Sequence, residues 1–183
     1  MNLIATVDKN RAIGKQGHLL VNIPEDIKLF RMETAGKAAI MGRKTNEQIT
    51  DRTALIDRYN VVLTSDLSYK KDGVVVVHSV EEALEKVASY KSEDIYVIGG
   101  ESVFEQFLPY CDVAHITSVD YKHNLHFTVL FKFVAQIKVC VFLTHLCNFP
   151  FWHLIQIRKM CICIILIINT RYVCHIAIWK KDI

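Results

Sequence analysis

From Met1 to Val119 the chain alternates short β-branched runs with stretches whose apolar positions recur every three or four residues. Met1–Val7 is apolar and stops at Asp8-Lys9-Asn10, the pattern of a strand followed by a turn. Over Glu25–Thr34 the apolar residues Ile27 and Phe30, with Leu29 and Met32 on an adjoining face, have the spacing of a half-buried helix. Lys37–Met41 predicts a strand, and Arg43–Ile49 the helix after it. Tyr59–Thr64 and Val74–His78 are bounded by Asp, Ser and Gly and predict two more strands. Ser79, with Glu82 three residues on, opens a helix that runs through Val87. Ile95–Ile98 and Val113–Val119 complete the strands, and the helix between them, Ser102–Leu108, is stopped by Pro109. Strands separated by helices predict an α/β fold, a mostly parallel central sheet flanked by helices on both faces.

The pattern ends near Asn124. All seven glycines lie at or before Gly100, and the remainder holds one proline, Pro150, and one acid, Asp182. Residues 1–124 carry 15 Lys/Arg against 18 Asp/Glu, whereas residues 125–183 carry seven against one. A mildly acidic first part argues against a nucleic-acid groove there. Five of the six cysteines lie in the tail, and Cys161 and Cys163 fit no common zinc spacing, so incidental thiols are expected. His18, His78, His115 and His123 share no metal-ligand spacing either, and no metal is expected. The apolar run Met160–Ile168 is too short for a membrane-spanning helix, which needs about 20 residues. Val139–Ile155 is interrupted by His145, Asn148, Pro150 and His153, which makes a membrane segment a weak alternative. Met1–Val7 is short for a signal peptide and has no basic leader, so a reducing cytoplasm is the default expectation; the oligomeric state is left open, with a monomer as its default. The expected organisation is one α/β unit over 1–124 and an atypical apolar, basic, Cys-rich tail over 125–183. A frame change or readthrough accounts for such a tail better than a selected membrane or interaction segment.

Three motifs carry the candidate chemistry. In Asn22-Ile23-Pro24-Glu25-Asp26, Pro24 suits the first turn of a helix, and an acid is favoured at that end. An Asp there is most often a cap. Val21, Ile23, Ile27, Leu29 and Phe30, however, surround Asp26 with apolar surface that a cap does not need. A carboxylate so placed can hold a planar N–H and NH2 pair through two charge-assisted bonds. Met41-Gly42-Arg43-Lys44-Thr45 runs from strand through glycine into a helix with two cations and a hydroxyl, which suits a phosphate, although a solvated basic helix face is as common. Thr64-Ser65 adds hydroxyls at the end of the next strand. Ile98-Gly99-Gly100-Glu101-Ser102 repeats the device with paired glycines that let a backbone approach a pyrophosphate. The G-x-G-x-x-G fingerprint of conventional dinucleotide domains is absent. Ala12-Ile13-Gly14-Lys15-Gln16-Gly17-His18 reads as a lid or as a plain surface loop.

With Ile13-Gly14, Asn22-Ile23-Pro24-Glu25-Asp26, Phe30, Ile40–Thr45, Val97–Gly100, Phe107-Leu108-Pro109 and Ile116-Thr117 in this order, the chain resembles the dihydrofolate reductase family from Met1 to about Asp120. The resemblance implies hydride transfer from NADPH to dihydrofolate, giving tetrahydrofolate. It implies that Asp26 binds the pterin amino group and ring N–H and promotes protonation at N5, with Thr117 supporting the carboxylate. Ile4 and Ile98 are then backbone acceptors at the pterin edge. Leu19, Ile27, Phe30, Ile49 and Leu55 wall the substrate, and Arg58 grips its glutamate carboxylate. For NADPH, the same resemblance puts Thr6, Ile13, Gly14, Gly17 and His18 on the nicotinamide side. It gives Gly42, Arg43, Lys44, Thr45, Thr64 and Ser65 to the phosphates and adenosine ribose. Gly99 and Gly100, with Glu101, Ser102, Val103, Phe104 and Gln106, fall beside the pyrophosphate.

The chain also departs from the family. Leu20-Val21 replaces a frequent Pro-Trp, Asn46 stands where an aromatic is usual, and Thr50–Asp57 replaces a proline-rich loop before Arg58. From Tyr121 onward the family's acidic loop and final antiparallel strands do not follow, so those strands are expected to be missing or replaced. A tail with one acid in 59 positions is expected to pair with other chains rather than mend that edge. Two alternatives follow: a riboflavin-pathway pyrimidine reductase of the same fold, or a truncated, catalytically impaired product with an aggregation-prone or membrane-associating tail.

Overall fold

The computed structural model describes residues 1–8, 12–15, 18–19, 22–49, 54–119, 154–157, 160–169 and 172–180, the last three segments by backbone alone. In chain order the elements are β1 (Asn2–Val7), β2 (Gly14–Lys15), β3 (His18–Leu19), α1 (Pro24–Thr34), β4 (Ala38–Gly42) and α2 (Arg43–Ile49). They continue with β5 (Tyr59–Leu63), β6 (Val74–Val77), α3 (Val80–Lys86), β7 (Ile95–Gly99), α4 (Glu101–Phe107) and β8 (Val113–Val119). The tail contributes β9 (Leu154–Ile157), β10 (Met160–Asn169) and β11 (Tyr172–Lys180). Single-turn 3-10 segments lie at Ser92–Asp94 and Leu108–Tyr110.

Local chemistry accounts for the helix ends. α1 begins at Pro24, has Glu25 and Asp26 in its first turn and Arg31 in its last, which suits the helix dipole. α3 starts as its sequence predicts: Ser79 Oγ accepts from Glu82 N–H at 3.0 Å, and Glu82 reaches back to His78 N–H at 2.8 Å.

The described strands form a nine-stranded sheet in the order β6-β5-β4-β7-β1-β8-β11-β10-β9, and β2 pairs with β3 as a separate two-stranded piece. From β6 to β8 every pairing is parallel. The chain returns from β6 to lay β7 between β4 and β1, so the centre of the sheet is enclosed on both sides. One face packs Leu3, Val7, Ile40, Val61, Val97 and Ile116 against Ala83 of α3 and Val103, Phe104 and Phe107 of α4. The other carries Ala39, Met41, Val62, Tyr96 and Ile98, with Phe30 of α1 packed on them. This is the mostly parallel, helix-flanked sheet that the alternation of periods predicts.

At the far edge, of the two expected outcomes, the final strands are replaced. β11 runs antiparallel along the whole of β8, from Cys174 opposite Val119 to Lys180 opposite Val113, and β10 follows on β11. The expectation that the tail leaves this edge unmended is therefore corrected. Backbone pairing asks for a strand of sufficient length rather than for a particular sequence, and β11 offers nine residues to the seven of β8. Among the described residues no helix is long and apolar enough to cross a membrane.

Candidate active site

Ligands of parallel sheets bind outside the carboxyl ends of the strands. At that end stand Thr6 near the close of β1, Gly42 closing β4, Thr64 just past β5, Gly99 closing β7 and Thr117 in β8. These are five of the candidates that the sequence motifs and the family resemblance supply.

Asp26 lies in the first turn of α1, half-buried; the N-cap residue is Ile23, with no side-chain capping bond. Its carboxylate turns instead to the sheet. Thr117 Oγ1 donates to Oδ1 and Thr6 Oγ1 donates to Oδ2, each at 2.5 Å. Thr117, the residue that the resemblance implies as support for this carboxylate, lies within hydrogen-bond reach of it. Thr6, expected on the nicotinamide side, has its hydroxyl committed to Asp26, because its strand position faces the first turn of α1. Each carboxylate oxygen keeps capacity for a further donor.

Next to this acid, Ile4, Phe30, Leu55 and Ile98 pack in one apolar cluster with Met41 and Tyr96. Ile27 is half-buried in α1, whereas Leu19 is 62% exposed and Ile49 sits at the exposed end of α2. Arg58 stacks its guanidinium 5.7 Å from the Phe30 ring centroid. It donates from Nε to Thr34 Oγ1 at 2.8 Å, from Nη1 to the Ile56 carbonyl at 2.6 Å and from Nη2 to the Arg31 carbonyl at 3.0 Å. Burial lowers its pKa from the ordinary value, opposed by Asp57 and reinforced by Arg31. Among the described residues three of its five N–H bonds are engaged, which fixes the guanidinium. Asn60, which no motif signalled, holds the loop that carries it: its Nδ2 donates to the carbonyls of Leu55 and Arg58 at 2.9 and 3.0 Å.

The two glycine junctions meet. A Cβ on Gly42 would lie 3.2 Å from Val103 and 3.9 Å from Gly100 N, and one on Gly100 would lie 3.3 Å from Thr45 Oγ1. A Cβ at Gly42 or Gly100 would crowd the Val103 or Thr45 side chain, so glycine eases the close approach of the β4 and β7 ends. Gly99 has φ +106°, and its peptide bond to Gly100 is cis. The Gly100 carbonyl accepts from the N–H groups of Val103 and Phe104, whose side chains turn into the core. Glu101 and Ser102 open α4, and Gln106 Nε2 donates to the Ser102 carbonyl at 2.8 Å. Burial raises the pKa of Glu101, and Glu105 adds to the effect.

Arg43 pairs with Glu47 at 2.9 Å and approaches the Tyr69 ring at 6.0 Å, and Lys44 is exposed beside it. Thr64 Oγ1 accepts from Asp66 N–H at 3.1 Å, and Ser65 is exposed. Ser68, through its hydroxyl and its N–H, holds the Asp66 carboxyl below the usual carboxylate range. Gly14 and His18 pair with Leu19 and Lys15 across the β2–β3 piece, and Ile13 packs toward the core. Gly17 lies outside the described residues, as do Leu20 and Val21.

Asn46, an aromatic position in the family, is fully buried. Its Oδ1 accepts from Lys71 Nζ at 2.8 Å and from Tyr69 OH at 3.2 Å, and its Nδ2 faces Met41 Sδ at 3.5 Å. The segment between β5 and β6 is thereby tied to α2, a tie across 23 and 25 residues that local sequence does not announce. Asn46→Leu removes the shared acceptor of two partly buried donors, and unfolding in urea is expected to show a loss of about 1–3 kcal/mol. An unchanged midpoint would mean that the network contributes nothing.

A model of the dihydrofolate reductase family matches residues 1–135. The chain is 36% identical to dihydrofolate reductase HdrB of Haloferax volcanii over 128 residues, 67% of this chain and 66% of that protein. It is 32% identical to a dihydrofolate reductase of Staphylococcus haemolyticus over 122 residues, 67% of this chain and 71% of the relative. The chain thus spans about two thirds of the length of these curated relatives. Among solved structures, a dihydrofolate reductase from Enterococcus faecalis complexed with NADP(H) and RAB-propyl superposes with a TM-score of 0.72 at 26% identity. That match covers 100% of this chain and 96% of the other. Sequence and fold agree, and the chain belongs to the dihydrofolate reductase family.

Proposed function

We propose that this protein reduces 7,8-dihydrofolate to tetrahydrofolate with NADPH, and that residues 1–124 hold the whole site. The observation that carries the proposal is the half-buried Asp26 carboxylate, held at both oxygens by threonine hydroxyls and aimed away from its own helix N-terminus. Such a carboxylate suits the N–H and amino group of a pterin, an edge that offers two parallel donors. Asp26 fixes the ring and favours a proton at N5, with Ile4 and Ile98 at the ring edge and Ile27, Phe30 and Leu55 along its sides. Arg58 takes the glutamate carboxylate of the substrate tail. Leu19 and Ile49 complete the wall from the rim.

The residues present fit NADPH. Gly42, Gly99 and Gly100 carry no Cβ where Val103, Phe104 and Thr45 close in, which keeps the two glycine junctions close together. Arg43, Lys44, Thr45, Thr64 and Ser65 offer the cations and hydroxyls that phosphates require. Glu101, Ser102, Val103, Phe104 and Gln106 form the helix start beside the pyrophosphate, where Val103 and Phe104 act by packing. Ile13, Gly14, Gly17 and His18 border the nicotinamide. NADPH, when bound, supplies the hydride. The described strands of the tail contribute backbone pairing at the sheet edge, and none of the candidate site residues lies beyond residue 124. A cytoplasmic monomer is the accompanying expectation.

Product analysis tests this directly: the full chain with NADPH and dihydrofolate should yield tetrahydrofolate, and methotrexate should compete for the site. Consumption of a ribosylamino-pyrimidine instead would establish the riboflavin-pathway alternative, which the family match does not favour. Arg43→Ala should lose selectivity for NADPH over NADH, because Arg43 is taken to face the 2′-phosphate. Steady-state KM values for the two cofactors check this, and a selectivity equal to that of the unaltered protein would remove Arg43 from the phosphate site.

A further inference from the structure

Thr6 and Thr117 are register partners on neighbouring parallel strands, β1 and β8. Adjacent strands lie about 4.8 Å apart, so two hydroxyls on the same face flank whatever side chain descends between them. Asp26 descends there from α1, and each of its oxygens receives one hydroxyl at 2.5 Å. A carboxylate held at both oxygens cannot turn about its last bond without breaking one of the two. β1 is fixed by pairing on both sides, to β7 and to β8, and a β-branched threonine has a stiff χ1. The Thr6 hydroxyl is thus delivered by the sheet rather than by a mobile loop. Only one proton is available on that hydroxyl, and Asp26 takes it.

We propose that Thr6 is a positioning residue for Asp26: with Thr117 it clamps the carboxylate in one plane, leaving one acceptor site on each oxygen turned to the substrate. The Thr6 hydroxyl proton is then not available to the nicotinamide. The reaction assigned to the clamp rests on the function proposed above, but the clamp itself does not.

Two substitutions separate these claims. Thr6→Val keeps the branched shape and removes the donor; Thr6→Ser keeps the donor. The Asp26 side-chain carboxyl carbon resonance is recorded at neutral pH in the chain without ligands, after circular dichroism has shown that each variant is folded. Loss of the hydroxyl donor displaces that resonance in Thr6→Val, whereas Thr6→Ser keeps it. With the chain active, Thr6→Val should also raise KM for dihydrofolate about tenfold at unchanged NADPH affinity, and Thr6→Ser should restore it. An unmoved resonance in folded Thr6→Val overturns the clamp, as does weakened NADPH binding with an unmoved resonance. Should Thr6→Val not fold, Thr6→Ala, which also lacks the donor, takes its place under the same two readings. A displaced resonance in a chain that does not reduce dihydrofolate upholds the clamp and overturns the assigned reaction.

Discussion

Asp26→Asn is expected to lower turnover at neutral pH by about 100- to 10,000-fold, the range that acid–base assistance typically supplies, while NADPH binds nearly as before. The substitution keeps the size of the side chain and leaves an oxygen for one threonine hydroxyl. It removes the negative charge, and it puts an NH2 group where Thr6 or Thr117 now donates. Two donors then face each other, and the substituted amide offers the pterin neither the charge nor the paired acceptors that its N–H and amino group match. The glycine junctions taken to hold the cofactor lie on β4 and β7 and share no hydrogen bond with Asp26 in the described set. Stopped-flow turnover and fluorescence titration with NADPH check the two halves separately. A variant with unchanged rate and weaker NADPH binding would show that the acid belongs to the cofactor site.

Gly99→Ala should be the most damaging single change on the cofactor side. Gly99 has φ +106°, where an L side chain is strained by about 1–3 kcal/mol. An added Cβ would lie 2.9 Å from Cε2 of Phe104, itself buried against the sheet, and such overpacking costs about 1–3 kcal/mol. The expected loss of stability is thus roughly 2–6 kcal/mol, with displacement of α4 and weaker NADPH binding. Gly36→Ala separates the two causes. Gly36 has φ +72° with nothing within 4 Å of its Cβ position, so only the backbone cost of about 1–2 kcal/mol remains. Urea unfolding of both variants, with NADPH affinity measured beside it, gives the comparison. Equal losses in the two would mean that Phe104 yields freely and that the contact is not structural.

Most of the sheet is legible in the chain because each element carries its own signal. Val74–Val77 could hardly be anything but a strand, and Ser79 with Glu82 announces α3 from four residues. Asp26 was separable from an ordinary cap by its apolar neighbours, and its partner Thr117 came from the family resemblance. Its second partner, Thr6, is not legible, because the pairing of β1 with β8 joins residues 111 positions apart and no local pattern encodes that register. Asn46 with Lys71, and Asn60 with the Arg58 loop, fail to show for the same reason: a polar residue in a strand or helix does not reveal which distant donor or carbonyl it meets. The tail is hidden for a different one. Met160–Ile168 has no alternation and no turn residues, so its sequence favours neither face and neither partner, and the neighbouring strand Tyr172–Lys180 joins β8 by backbone pairing, which no side-chain pattern announces.

The central claim is that the carboxylate between Thr6 and Thr117 serves the reduction of dihydrofolate. Its most direct test is the rate of NADPH consumption by the purified full chain, with and without dihydrofolate, beside folded Asp26→Asn. Saturable, dihydrofolate-dependent consumption that falls by at least about 100-fold in the variant is the predicted result. A folded, NADPH-binding chain whose consumption ignores dihydrofolate, or is the same in both proteins, would contradict it.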